Sequence, residues 1–341
     1  MPLRAAVVGA SGYTGAELLR LLAAHPHIEL ALATGDSQAG SSVEALYPSL
    51  GAAYPGLVLE PFEPGRVHGL DVVFLGLPHA ASLATAPQLL DHVGCIVDLS
   101  AAFRLKDAGA YPRWYGFTHD QPELLADAVY GLPERHRDAL KGARLIATPG
   151  CYVTAATLAL APLLDSGLLE RVGIIVDAAS GVSGAGRTPT STTAFCTVDE
   201  DFVAYGLLDH RHTPEIEQNL EAQVLFTPHL APMSRGILAT CYARPVAGQT
   251  PTTASLLDSV RDAYAGEPFV VVTEGSPSTK ATLGSNCAHV TVRYDSRTGY
   301  VIALCALDNL TKGASGGALQ SANVALGLAE TAGLPTVGLA P

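Results

Sequence analysis

Thr148-Pro149-Gly150-Cys151-Tyr152 sets a cysteine behind a Pro-Gly turn, after an apolar run at 143–147 and at the head of a helical pattern at 152–164. A thiol at a helix start faces main-chain N–H groups and the positive end of the helix dipole, both of which favour the thiolate. The chemistry this permits is covalent catalysis through sulfur. The plainer alternative is a buried residue at a helix cap. Cys95, Cys241 and Cys305 lie inside apolar strand-like runs and read as inert core thiols, whereas Cys196 and Cys287 carry no clear signal. The six cysteines show no CxxC or Cys/His ligand spacing, so neither a metal site nor a disulfide framework is expected.

A thiolate needs a proton-transfer partner, and Asp209-His210-Arg211-His212-Thr213-Pro214-Glu215-Ile216 offers two imidazoles and a carboxylate. The same residues also read as a helix start, with Thr213 as N-cap and Pro214 in the first helical position. Both readings can hold together, with His212 presented just ahead of the helix. For anions, Ser180-Gly181-Val182-Ser183-Gly184-Ala185-Gly186-Arg187 combines unobstructed amides with a guanidinium. Arg104 and Arg235 sit in similar small-residue contexts.

Gly9-Ala10-Ser11-Gly12-Tyr13-Thr14-Gly15 lies between the first apolar run (4–8) and the first helical pattern. Glycines at this spacing allow a tight turn, close backbone approach to a pyrophosphate and close helix–strand packing, with the anion facing a helix N-terminus. At the end of the second strand, where an acidic residue suits a ribose 2′-hydroxyl, stand Asp36 and Ser37. Asp36 favours NAD on that ground, though an Asp in a turn also serves its own backbone.

These residues must be carried by two domains, the expectation for 341 residues, with a cleft between them. Apolar runs at 4–8, 28–33, 71–75, 95–99 and 143–147, spaced by crossovers, predict a Rossmann-type doubly wound parallel sheet over 1–147. Runs at 173–177, 223–226, 236–243, 269–273, 289–294 and 300–307 predict an α+β domain with a mixed sheet over 148–312, with a loop at 178–193. A small-residue helix at 316–328 lies in the closing segment, 313–341.

Apolar residues are 48% and charged residues 15%, enough to bury a core without cross-links. A formal charge of −12 with no Lys/Arg run argues against nucleic acid and membrane surfaces as partners. No apolar stretch reaches ~18 residues, and the chain enters its first strand at once, so a cytoplasmic location is expected.

Taken together, the Gly9–Gly15 turn, Leu77-Pro78-His79, Pro149-Gly150-Cys151-Tyr152, the stretch ending at Arg187, His210-Arg211-His212-Thr213-Pro214-Glu215-Ile216 and Asp308-Asn309-Leu310 resemble the N-acetyl-gamma-glutamyl-phosphate reductases, in order along nearly the whole chain. That resemblance implies an aspartate-semialdehyde-dehydrogenase type of fold, in which the final helix returns to the first domain. It implies NADP-dependent reduction of an acyl phosphate to an aldehyde through a Cys151 thioester, in arginine biosynthesis, with His212 as acid/base and His210 and Glu215 assisting. Gly9, Ser11, Gly12, Tyr13, Thr14, Gly15, Asp36, Ser37, Leu77, Pro78, Ser183, Gly184, Asn309 and Gly313 then fall to the cofactor. Arg104, Arg187 and Arg235 fall to the substrate. A homodimer or homotetramer is also implied.

Two positions depart from the family pattern. Asp36-Ser37 stands where Ser-Arg is usual, which makes NAD an alternative cofactor. Ser100-Ala101-Ala102-Phe103-Arg104 has Ala102 where Asp is usual, removing a carboxylate near Arg104. Alternative readings are the same chemistry on N-acetyl-aminoadipyl or aspartyl phosphate, and a non-catalytic dinucleotide-binding sensor.

Overall fold

Runs dominated by Val, Ile, Leu and Ala become strands, because branched side chains pack well on a pleated surface. In the computed structural model, which describes residues 1–340, six of these form one parallel sheet. They are β1 (Leu3–Val8), β2 (Ile28–Thr34), β3 (Val72–Leu75), β4 (Cys95–Asp98), β5 (Val129–Tyr130) and β6 (Leu145–Ala147), in the order β2-β1-β3-β4-β6-β5. β3 and β4 are buried at every position, as strands covered on both faces must be. Strand order reverses between β1 and β3, and ligands of such sheets bind outside the carboxyl ends of strands at a reversal of this kind. The glycine turn that follows β1 stands there.

The second sheet contains β7 (Ile174–Gly181), β8 (Val203–Ala204), β9 (Val224–Ala231), β10 (Ile237–Ala243), β11 (Val270–Val272), β12 (Ala288–Asp295) and β13 (Tyr300–Leu307). Its order is β11-β12-β13-β10-β7-β9-β8. β7–β9 and β11–β12 are parallel and the other pairs antiparallel, so the sheet is mixed. β7 and β10 alternate buried and half-buried positions, the mark of a sheet with one covered face. Against that face packs the helix Cys151–Asp165, apolar around its whole circumference and buried from Tyr152 to Leu164. The nucleophile candidate therefore begins the central helix of its core.

Contacts divide the chain between Pro149 and Gly150. The first unit is Met1–Pro149 with Ala314–Leu334, and the second is Gly150–Gly313 with the segment that begins at Pro335. In the first unit the helix Gly316–Ala325 is fastened by Ser315 Oγ donating to Thr14 O (2.8 Å) and Ser321 Oγ donating to Gly131 O (3.0 Å). After it, Asn286 N donates to Pro335 O and Leu339 N to Leu283 O, so the tail lies on the second unit, whereas the sequence reading kept all of 313–341 together. β7 also runs to Gly181, into the segment read as a loop from 178. Ala-Ala-Ser-Gly has little strand preference of its own, but both edges of β7 are paired there. Among the described residues, no helix is long and apolar enough to cross a membrane.

Candidate active site

The helix Cys151–Asp165 starts on Gly150 as N-cap, with extended backbone (φ −66°, ψ 145°) and no side-chain cap. Cys151 is half-buried, at a position where an anion on sulfur is favoured. Cys95, Cys241, Cys287 and Cys305 are buried and Cys196 is exposed. Burial pushes the Cys95 thiol up to about 12, and the Cys241 and Cys287 thiols also upward, which leaves them inert at neutral pH. Gly313 backs Cys151 closely: a Cβ there would come within 2.9 Å of Cys151 Cβ.

The imidazole of His212 lies over Gly150. A Cβ on Gly150 would collide with its Nε2 and approach its Cδ2 and Cε1 to 2.7 and 2.8 Å, so only glycine leaves the ring its seat. Glu215, fully buried, accepts the Gly150 N–H through Oε1 at 2.9 Å. Both His212 and Glu215 thus converge on the residue before the thiol. They come from one segment, the helix Thr213–Leu220, whose N-cap is His212 rather than the expected Thr213, which places Pro214 second. The His212 backbone already has helical geometry (φ −79°, ψ −13°), which moves the cap back by one residue.

His210 stands behind His212. Its Nδ1 accepts the His212 N–H at 3.1 Å, and its ring packs edge-on against Tyr152, Tyr205, Phe226 and His212, with centroids 4.8–5.8 Å apart. Tyr205 Oη donates to Tyr152 Oη at 3.2 Å, and Tyr152 Oη donates to His229 O at 2.9 Å. Burial raises both phenol pKa values, so both stay protonated donors. Tyr205 and Phe226 escaped the sequence reading because neither lies in a local motif. Only Tyr152, beside the cysteine, carried a signal.

In the same unit Asn309 joins distant positions: its Nδ2 donates to Ser183 Oγ (2.9 Å) and its Oδ1 accepts from Gly236 N (2.7 Å). Gly184 is exposed next to Ser183, and Arg187 is exposed beyond it. Arg235 is braced within its unit: its fork binds Asp308 (2.9–3.2 Å) and Thr311 Oγ1 (2.9 Å). Asp308 is fully buried and also accepts from the N–H groups of Gly284, Leu310 and Thr311.

The first unit carries the glycine turn. Gly9 has φ +88°, and a Cβ on it would strike the carbonyl of Gly76, while one on Gly15 would strike the turn at Gly9 and Ala10. Gly12, the N-cap of the helix Tyr13–Leu22, has nothing nearer than Gly9 O at 3.6 Å from its Cβ position, and no side chain caps this helix either. Tight backbone below and open space above Gly12 fit a nucleotide phosphate at the helix N-terminus. Ser11, Tyr13 and Thr14 line the turn, and Tyr47 Oη, unmarked in the sequence, donates to Ser11 O at 2.7 Å. Asp36 and Ser37 are exposed just past β2, where a nucleotide ribose binds in folds of this kind.

Leu77 and Pro78 lead into the helix His79–Leu89, and His79 Nδ1 accepts the Ala101 N–H at 3.0 Å. Arg104 is buried and donates to Thr148 O (2.6 Å) and Leu99 O (3.0 Å), tying the Ser100–Arg104 loop to the chain just before Pro149. Ala102 is fully buried in the apolar core of this unit.

Residues 4–143 match the semialdehyde dehydrogenase NAD binding domain family, and residues 151–309 the semialdehyde dehydrogenase dimerisation domain family. N-acetyl-gamma-glutamyl-phosphate reductases from Symbiobacterium thermophilum and Geobacter sulfurreducens are 48% and 49% identical, over 99% of this chain and 99% and 100% of theirs. Among solved structures, aspartate semialdehyde dehydrogenase II from Vibrio cholerae superposes with a TM-score of 0.70 at 16% identity, covering 95% of this chain and 98% of that one. The Candida albicans aspartate semialdehyde dehydrogenase with NADP gives 0.70 at 15% identity and the same coverage. The fold is thus the α/β Rossmann-plus-dimerisation architecture, and the chain belongs to the N-acetyl-gamma-glutamyl-phosphate reductase family.

Proposed function

We propose that the protein reduces N-acetyl-L-glutamyl 5-phosphate to N-acetyl-L-glutamate 5-semialdehyde, with release of phosphate, as a step of arginine biosynthesis. The Cys151 thiolate attacks the acyl carbon, the carbon–oxygen bond to phosphate breaks, and a thioester remains on sulfur. When bound, the nicotinamide would supply the hydride needed to reduce the thioester carbon. His212 protonates the resulting oxyanion and then takes that proton back as the carbon–sulfur bond breaks, releasing aldehyde and thiolate. Glu215, through the Gly150 N–H, holds the turn that carries the thiol.

The observation that carries this reading is the seat of His212 on Gly150, beside a half-buried cysteine at a helix start without a side-chain cap. A dinucleotide sensor has no use for that arrangement. Identity near one half over the whole chain favours the acetylglutamyl substrate over its aminoadipyl and aspartyl homologues.

The turn from Ser11 to Gly15, with Leu77 and Pro78, is proposed to hold the dinucleotide, with Ser183, Gly184, Asn309 and Gly313 at its nicotinamide end. Arg104 and Arg187 are proposed for the substrate anions, and Arg235 for the same site while braced on Asp308. NADP is the proposed cofactor, with NAD admitted by Asp36. The matched dimerisation domain supports a homodimer or homotetramer, proposed to work in the cytoplasm.

The test is the reverse reaction: the semialdehyde with phosphate and either NADP or NAD, in wild type and Cys151→Ser, with the aminoadipate homologue alongside. Turnover on the acetylglutamyl compound that vanishes in Cys151→Ser is expected. Full turnover by Cys151→Ser removes the covalent mechanism, and a preference for the homologue removes the substrate assignment.

A further inference from the structure

Two histidines stand one residue apart in the chain, and their surroundings differ. Only His212 has its ring on Gly150. His210 is turned away into a cage of Tyr152, Tyr205, Phe226 and His212, and its Nδ1 receives the main-chain N–H of His212. A nitrogen that accepts a hydrogen bond from an amide carries no proton itself, so any proton on the His210 ring sits on Nε2.

We propose that His210 is a positioning residue, which holds His212 over Gly150 through the His212 N–H and the aromatic cage and transfers no proton during turnover. This rests on the assignment of His212 as the acid/base group.

The charges around the ring agree. Burial lowers its pKa to about 4, Arg211 pushes the same way and Asp209 opposes them. Tyr152 and Tyr205, the titratable groups of the cage, stay neutral because burial raises their pKa values. A group kept neutral across the working pH range is a poor proton carrier but a steady acceptor. The phenol chain from Tyr205 to Tyr152 to His229 O closes the cage from the side of the exposed 201–209 segment. The cage therefore fixes the ring without charging it.

The experiment compares His210→Asn, His210→Phe and His212→Asn in the reverse reaction across pH. Asn places an amide oxygen near the position of Nδ1 and cannot titrate, while Phe keeps a ring and loses the acceptor. His210→Asn is expected to keep kcat within about threefold of wild type, with both limbs of the pH–rate profile unmoved. His210→Phe should lose at least about tenfold in kcat, with KM values within about twofold. A His210→Asn enzyme that is folded and as slow as His212→Asn, or that lacks one limb of the profile, overturns the proposal.

A second measurement uses the unaltered protein. Imidazole nitrogen NMR is expected to show His210 Nδ1 unprotonated down to about pH 5, and a proton on it at neutral pH overturns the proposal independently of any variant. Full turnover by His212→Asn would instead refute the acid/base assignment beneath it, a result distinct from either His210 outcome.

Discussion

Two helix starts organise this molecule, and they look alike in sequence. Each follows a parallel-sheet strand, each has a glycine N-cap in extended conformation, and neither has a side-chain cap. What presses on the glycines separates them. In the first turn the collisions awaiting a Cβ at Gly9 and Gly15 are with main chain, and a Cβ at Gly12 would make only an ordinary contact with Gly9 O. In the second, the collision awaiting a Cβ at Gly150 is with the ring of His212. One glycine turn is shaped by close approach of backbone to backbone. The other is shaped so that an imidazole can reach a residue of the chain itself. On the proposed function, the same local device serves binding in one unit and covalent chemistry in the other.

Substitutions at these glycines can break the comparison. Gly150→Ala should give the largest effect: displacing His212 is expected to lower kcat about 10²–10³-fold, the range for loss of a positioned acid/base group, with KM for the nicotinamide little changed. Steady-state kinetics decide it, and an alanine enzyme within about twofold of wild type would mean that the imidazole seat is dispensable. Gly9→Ala should fail differently, by destabilising the fold: φ +88° and the Gly76 carbonyl together should cost at least about 1–3 kcal/mol, read as a drop in Tm.

Gly12→Ala sharpens the contrast. Its methyl has room in the protein, so Tm should hold, while KM for the nicotinamide should rise about tenfold as the methyl enters space reserved for phosphate. An unchanged KM would argue that phosphate does not sit there.

The smallest expected effect is on acid stability. His210 has a folded-state pKa lowered from 6.5 to about 4, so the unfolded chain binds a proton that the folded protein refuses. Its share of stability is fully present above about pH 6.5 and is lost as pH falls towards 4. His25, His119, His136 and His289, also lowered by burial, act in the same direction. His210→Phe should therefore flatten the decline of Tm between those pH values by a small fraction, and an unchanged slope would show that His210 titrates normally.

Much of the machinery was legible because its signals are local. Strand, turn and helix around Gly9–Gly15 and around Cys151 each fit within a dozen residues, so pattern alone placed a helix after each turn, although the first helix begins at Tyr13, inside the segment read as turn. The residue types of the segment from Asp209 to Ile216 were equally plain. What could not be read is the direction in which each side chain turns. His210 and His212 are adjacent in type and spacing, and only the tertiary cage of Tyr205 and Phe226 tells them apart.

Arg235 shows the same limit. A guanidinium in a Ser-Arg-Gly context suits a substrate anion, and the sequence does not show that its fork is braced by Asp308, 73 residues away, a partner that no local signal marks. The length of β7 was missed because its last residues owe their extended form to two neighbouring strands rather than to their own side chains.

The central claim is that Cys151 carries the acyl group. The most direct measurement mixes the protein with N-acetylglutamyl phosphate in the absence of nicotinamide, quenches in acid and maps the peptides by mass spectrometry. An N-acetylglutamyl adduct confined to the Cys151 peptide, with stoichiometric phosphate release and neither event in Cys151→Ser, is the predicted result. Phosphate release without an adduct on that peptide, or an adduct that persists in Cys151→Ser, would contradict it.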